Sequence, residues 1–191
     1  MKRLIFVFLT GLLVAAAFAL VRAQPLDQAA QASESAAPAA AVKELFAQLK
    51  LDSIAAKDPE EPGRYVAALN IPDAQLLVIS APYAVPAAMD KLIADGKYMD
   101  AYQNLQAVVS HKGHFFVIDM ANDGLKRVND PDQAFDSVSV DGGTPIQFDG
   151  KFADQKLTEA DYSAKFRADD ERYARILKIL ATELRKKTTT E

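Results

Sequence analysis

Arg64–Ser80 reads RYVAALNIPDAQLLVIS and predicts the centre of a β-sheet in this 191-residue chain. Two runs rich in apolar and β-branched residues, Arg64–Ile71 and Gln75–Ser80, flank a Pro-Asp-Ala turn at residues 72–74. This pattern is typical of an antiparallel β-hairpin. The second run is apolar at four consecutive positions, so we expect an inner strand that is covered on both faces of a sheet.

Three further strands are predicted downstream. His114–Met120 is a mostly apolar run, and Phe135–Val140 alternates apolar with polar residues, as a half-buried strand does. The Asp-Gly-Gly sequence at residues 141–143 predicts a turn into Thr144–Phe148, which completes a second hairpin. Because Pro145 has no N–H to donate to a neighbouring strand, we expect this last strand at a sheet edge.

Helices are predicted on both sides of these strands. Apolar residues at helical spacing predict one helix from about Ala41 to Ala56 and one or two over Ala87–Gln106. The clearest helix is Glu159–Lys187, which Thr158 caps and which carries an apolar stripe in steps of three and four. We therefore predict a single α+β domain over residues 41–191, with one antiparallel sheet, flanking helices and a long C-terminal helix.

The N-terminus has the features of a secretory signal peptide. Two basic residues precede the uncharged run Leu4–Val21, and small residues predict cleavage after Ala23. We expect a periplasmic or secreted protein with no stable membrane insertion after cleavage; the alternative is a leader retained as an anchor. Residues 24–40, rich in Ala, Ser and Gln, are expected to form a flexible tether.

Composition and charge exclude several classes of function. The chain has 26 acidic and 22 basic residues, a net charge of −4, and no Cys or Trp. An acidic surface repels phosphates, so we expect no nucleic acid partner. Without Cys, disulfides, thiol catalysis and Cys-based metal sites are excluded. The acidic runs at residues 58–61 and 169–171 are expected to be solvated surface.

No catalytic motif is evident, so the sequence predicts no catalytic residues. Ser110 adjoins His111, but no Gly-x-Ser-x-Gly turn is present to shape a nucleophile. His111 and His114 are the only histidines and could supply two metal ligands. Because a metal site needs three or four ligands, we predict no metal here. No motif in the residues calls for a cofactor either, so none is predicted from them.

A small-ligand pocket is a separate hypothesis. Tyr98 and Tyr102 lie one helical turn apart and, with Tyr83, could line a pocket for a flat ligand. Arg64 or Lys91 would then bind an anionic end of that ligand. The alternative is that these tyrosines cover an edge of the core, with their hydroxyls in water.

The strand order resembles a known class of domains. Leu51–Pro59 can also be read as a strand entering a turn, and the hairpin, a helix and His114–Met120 follow it. Over about residues 48–120 this order is similar to the split-barrel domain of the pyridoxamine 5′-phosphate oxidase class, whose members often bind FMN. The resemblance implies a split β-barrel and an oxidoreductase.

In that family, basic and hydroxyl residues after the third strand and in the next helix hold the flavin phosphate. The matching residues here are Ser80, Lys91 and Lys97. A second order, the αββαβββα arrangement of profilin-like or roadblock-like proteins, is also similar to the predicted elements. The order of elements does not distinguish the two.

The sequence as a whole predicts an exported binding or interaction module whose partner is an unknown small ligand or protein. One alternative is the FMN-binding oxidoreductase. Another is a structural protein that forms a homodimer through Glu159–Lys187, whose apolar stripe includes Leu177 and Leu180.

Overall fold

A computed structural model describes residues 33–82, 112–127 and 135–189. These parts of the chain form two α-helices and six β-strands. In chain order they are α1 (Ala36–Leu49), β1 (Ser53–Lys57), β2 (Tyr65–Ile71), β3 (Gln75–Ala81), β4 (Phe115–Met120), β5 (Ser137–Val140), β6 (Ile146–Gln147) and α2 (Glu159–Thr188).

The six strands form one antiparallel sheet in which each strand pairs with the next along the chain. The described sheet is open, with β1 and β6 at its edges. The α+β class and the single antiparallel sheet are thus confirmed. Pro145 directly precedes β6, so the expectation of a proline at a sheet edge is confirmed as well.

The predicted hairpin is present as β2 and β3, joined by a turn in which Asp73 has a φ of 57°. Ala68 lies opposite Val78, and Ala67 opposite Ile79. The four residues Leu76–Ile79 are fully buried, which confirms that β3 is covered on both faces.

Both helices pack against one face of the sheet. The core that they share with the sheet includes Val42 and Phe46 from α1, and Ile176, Leu177 and Leu180 from α2. The strands contribute the alternate residues that face the helices, namely Ile54, Val66, Ala68, Leu76, Val78, Phe115, Val117 and Val138. Burial of these side chains is the main source of stability in a chain without disulfides.

The predicted bounds of the first helix, about Ala41 to Ala56, are wrong. α1 begins at Ala36, inside the segment predicted to be a tether, and Ala39 is fully buried. It ends at Leu49 rather than Ala56, because Lys50 adopts a left-handed conformation and the Leu51 N–H donates to the carbonyl of Phe46. A left-handed residue followed by a hydrogen bond back to the last turn is a common way for an α-helix to end.

β1 follows at once, so the reading of Leu51–Pro59 as a strand is the correct one. Three strands therefore precede residue 83, whereas the profilin-like or roadblock-like order has two. The predicted helical region Ala87–Gln106 and the predicted signal peptide, residues 1–23, both lie outside the described residues. Among the described helices, none is both long and apolar enough to cross a membrane.

The C-terminal helix is confirmed, including its cap. The Thr158 hydroxyl accepts a hydrogen bond from the Asp161 N–H at 3.1 Å. Leu177 and Leu180, proposed as a dimer surface, are fully buried in the core of the single chain. The homodimer stays a prediction, but this stripe is not exposed to form it.

Candidate functional site

Two of the predicted ligand residues, Arg64 and Ser80, lie in contact. Nη1 of Arg64 donates to the Ser80 hydroxyl at 3.3 Å and to the Gly113 carbonyl at 2.8 Å, while Nε pairs with Glu61 at 2.8 Å. Ser80 is fully buried. Arg64 therefore joins the start of β2, the end of β3 and the turn before β4, and its contacts are within the chain.

The remaining predicted ligand residues are divided between described and undescribed parts. His114 is buried at the start of β4. No cluster of three or more His, Asp or Glu side chains suited to a metal ion is found in residues 33–82, 112–127 and 135–189. The others, Tyr83, Lys91, Lys97, Tyr98, Tyr102 and His111, lie outside the described residues, so the FMN site and the tyrosine pocket stay predictions.

The outer side of β1 is an open edge of the sheet that the described residues form. The Asn70 N–H donates to the Asp52 carbonyl and the Asp58 N–H to the Arg64 carbonyl, so alternate residues from 52 to 58 pair with β2. The residues between them point their backbone groups away from the sheet. Ala55 and Lys57 are both exposed and lie at such positions, so their N–H and C=O groups can receive another strand.

The opposite edge of the described sheet is covered. Gln155 accepts from the Gln147 N–H at 2.9 Å and donates to the Gln147 carbonyl at 2.7 Å. A side-chain amide thus occupies the outward backbone groups of β6, which is only two residues long. Within the described sheet, β1 is the longer of the two edges, and Ala55 and Lys57 carry the outward backbone groups that could pair.

An ionic cluster fixes the end of β1 against α2. Arg175 donates to both carboxylate oxygens of Asp58, at 2.8 and 3.1 Å, and pairs with Glu61 at 2.7 Å and Glu60 at 3.3 Å. Burial raises the pKa of Asp58, but the hydrogen bonds from Arg175 and from two backbone N–H groups outweigh it and hold the pKa below its ordinary value. The expectation that residues 58–61 are only solvated surface is wrong for Asp58, whose side chain is fully buried.

A groove of about 300 Å³ lies between β1 and α2. It is lined by Ala56, Lys57, Pro59, Glu60, Arg175, Lys178, Ile179, Thr182, Glu183 and Lys186. Arg175 faces the carboxylates of Asp58, Glu60 and Glu61, which exceed its single positive charge, and Lys186 pairs with Glu183 at 2.8 Å. Lys57 and Lys178 form no ion pair within the described part of the chain. Four of the side chains that line the groove are basic and two are acidic, so the lining has a positive balance of charge, although the chain as a whole is acidic.

Two buried aspartates order the loop that follows β4. Asp119 accepts from the backbone N–H groups of Asp123 and Gly124, and from the Tyr173 hydroxyl at 2.9 Å. Asp136 accepts from two backbone N–H groups at 2.7 Å. Burial raises the pKa of both carboxyls, and the neighbouring Asp119 helps to raise that of Asp136 to about 7.

Because the pKa of Asp136 is raised in the folded chain, we expect the free energy of unfolding to fall as the pH rises. Between its ordinary pKa of 3.8 and its folded value of about 7, Asp136 holds a proton in the native state that the unfolded chain releases. We expect urea unfolding followed by circular dichroism to give a free energy lower by on the order of 2 kcal/mol at about pH 8 than at about pH 5. Asp136→Asn should remove most of this difference, and equal stability of the wild type at both pH values would contradict the assignment.

Comparisons of the chain with protein-family models, with curated proteins and with solved structures find no match. The groove between β1 and α2 was not predicted because the residues that form it are far apart in the sequence. Asp58 and Arg175, for example, are separated by 117 positions. The one feature of the sequence that pointed to this groove was the alternative interpretation of Leu51–Pro59 as a strand.

Proposed function

We propose that the protein is a binding module that accepts an extended segment of a partner as an additional strand beside β1. The observation that carries this proposal is the contrast between the two sheet edges. Ala55 and Lys57 offer outward backbone groups at one edge, whereas Gln155 occupies those of Gln147 at the other. Backbone pairing at such an edge supplies affinity, and the neighbouring pockets for side chains supply specificity.

The charge of the groove defines the class of partner. Lys57 lies on the strand that would pair, and Lys178 lies on the α2 wall of the same groove. Both ammonium groups complement carboxylates, while Ala56 and Ile179 provide apolar contact between them. The partner is therefore an extended segment that carries Asp or Glu side chains.

A random peptide display library, selected on the full chain, tests this function. Ala55→Pro removes one outward N–H without disturbing the bonds to β2, since proline is tolerated at sheet edges. We expect this variant to bind the selected peptides with an affinity at least about tenfold lower, a loss of about 1.4 kcal/mol, as measured by isothermal titration calorimetry. Ala55→Val keeps the N–H and suits a strand, so it is the matched control and should bind as the wild type does.

The charge requirement is tested on the same peptides. Selected sequences should be enriched in Asp and Glu, and the double variant Lys57→Glu, Lys178→Glu should reverse this preference. Peptides that bind Ala55→Pro and Ala55→Val equally well would overturn strand addition at β1. Peptides that need the Ala55 N–H but show no acidic enrichment would retain the edge and overturn the acidic partner.

A further inference from the structure

Asp119 and Asp136 form a pair of buried carboxylates on neighbouring strands. Asp119 lies in β4, and Asp136 directly precedes β5. The register pairs Ile118 with Ser137, so the next residues along the two strands, Asp119 and Asp136, lie opposite each other. Opposite residues of an antiparallel pair point to the same face of the sheet, with Cβ atoms about 5 Å apart. Asp119 is 0 % exposed and Asp136 is 2 % exposed, so the pair is shielded from water.

Hydrogen-bond donors surround this pair, but within the described residues no cation does so. Five donors reach the two carboxylates: the Tyr173 hydroxyl and the backbone N–H groups of Met120, Asp123, Gly124 and Lys126. None of the ion pairs in the described part of the chain includes Asp119 or Asp136. The Lys126 ammonium pairs with Asp123 instead. Two ionised carboxylates at these positions would therefore repel each other without a compensating positive charge.

The neighbouring groups favour one proton on this pair. Burial is the largest cause that raises the pKa of both carboxyls, and the charge of Asp123 raises both further. The hydrogen bond from Tyr173 of α2 lowers the pKa of Asp119, as the backbone donors do for both carboxyls, but these bonds do not outweigh burial. On the side of β3, the residue opposite Asp119 is the apolar Leu76. A single shared proton leaves one negative charge, which the five donors can satisfy.

The pair also fixes the position of residues 121–126, which follow β4. Three of the four backbone N–H groups that donate to the pair belong to this segment. The segment in turn contacts the start of α1. The Leu125 N–H donates to the Ser35 hydroxyl at 2.8 Å, and a Cβ at Gly124 would lie 2.6 Å from backbone atoms of Ala36. A change in the charge of the pair is therefore transmitted through residues 121–126 to the start of α1.

We propose that Asp119 and Asp136 form a proton-operated latch. With one proton shared between them, the pair holds residues 121–126 against the start of α1. Loss of that proton places two like charges opposite each other in the core, and their repulsion favours a local opening in which residues 121–126 move outward and both carboxylates reach water. Because the pKa of Asp136 is about 7, the latch is closed at about pH 5 and opens more readily as the pH rises through about 7.

Hydrogen exchange of the full chain, followed residue by residue by NMR, tests the latch. We expect the protection factors of the Gly124, Leu125 and Lys126 amides to fall by at least about tenfold from about pH 5 to about pH 8. Their exchange should not respond to low concentrations of urea, because a local opening exposes little surface, whereas the exchange of Val78 in β3 should accelerate. If these three amides respond to urea as Val78 does, they exchange only through global unfolding and the latch is overturned.

Two isosteric variants test the shared proton through the carbon chemical shift of the Asp136 carboxyl. Asp119→Asn removes the opposite charge and should raise the acid dissociation constant of Asp136 by at least about tenfold. Asp123→Asn, at a half-exposed position, removes the third charge and should change this constant in the same direction, and it serves if Asp119→Asn does not fold. Asp154→Asn, at an exposed position, is the matched control and should leave the constant unchanged. If neither Asp119→Asn nor Asp123→Asn changes the constant, the carboxylates do not interact and the latch is overturned.

Discussion

Gly124→Ala is expected to lower the free energy of unfolding by about 3–5 kcal/mol, from steric overlap together with backbone strain. A Cβ at position 124 would lie 2.6 Å from both N and Cα of Ala36, and 2.8 Å from the carbonyl carbon of Ser35. These are backbone atoms at the start of α1 and cannot rotate away. Gly124 also has a φ of 88°, which an alanine adopts only under strain.

Gly63→Ala is the matched control for the backbone conformation. Gly63 has nearly the same φ, 83°, but no atom lies within 4 Å of the Cβ that would be added. We expect this variant to lose only about 1 kcal/mol, the cost of a left-handed alanine. Urea unfolding followed by far-ultraviolet circular dichroism suits both variants, because the chain has no Trp. Equal losses for the two variants would mean that α1 does not approach Gly124 closely.

The sequence predicted the elements whose determinants are local. The hairpin of β2 and β3 follows from two apolar runs around one turn, and α2 follows from its cap at Thr158 and its apolar period. The end of α1 was missed for a physical reason. Apolar residues keep helical spacing up to the end of the helix, at Val42, Leu45, Phe46 and Leu49. The residue in the left-handed conformation that ends the helix is Lys50 rather than a glycine, so the sequence contains no signal for this end.

The candidate sites were harder to predict because they depend on long-range contacts. The Asp58–Arg175 pair, like the covering of β6 by Gln155, becomes visible only once the sheet and α2 are in place. The acidic residues of α2 show why burial cannot be predicted from local sequence. Asp169 and Asp170 are adjacent on a helix that is polar in sequence, yet Asp170 is 5 % exposed and receives hydrogen bonds from a segment more than a hundred positions away.

Asp170 acts as the cap of α1 from another helix. The Ser35 side chain makes no cap of its own, and the Asp170 carboxylate accepts from the backbone N–H groups of Glu34 at 2.6 Å and Ser35 at 3.1 Å. The hydroxyls of Ser33 and Ser35 also donate to it, at 2.7 and 2.6 Å. The Ser35 hydroxyl accepts in turn from the Leu125 N–H, which ties the loop after β4 to the same point. A negative charge here also complements the helix dipole.

Asp170→Asn is therefore expected to cost about 2–4 kcal/mol, because it removes the charge and turns an amide N–H toward donors that need an acceptor. Its neighbour gives the matched control. Burial raises the pKa of Asp169 to about 6, although nearby Lys165 and Arg172 oppose the shift, so the native state does not favour its charged form. Asp169→Asn should then leave stability unchanged or slightly raised at neutral pH, in the same urea titration. If the two isosteric substitutions had the same effect, the cap of α1 would have to come from a residue other than Asp170.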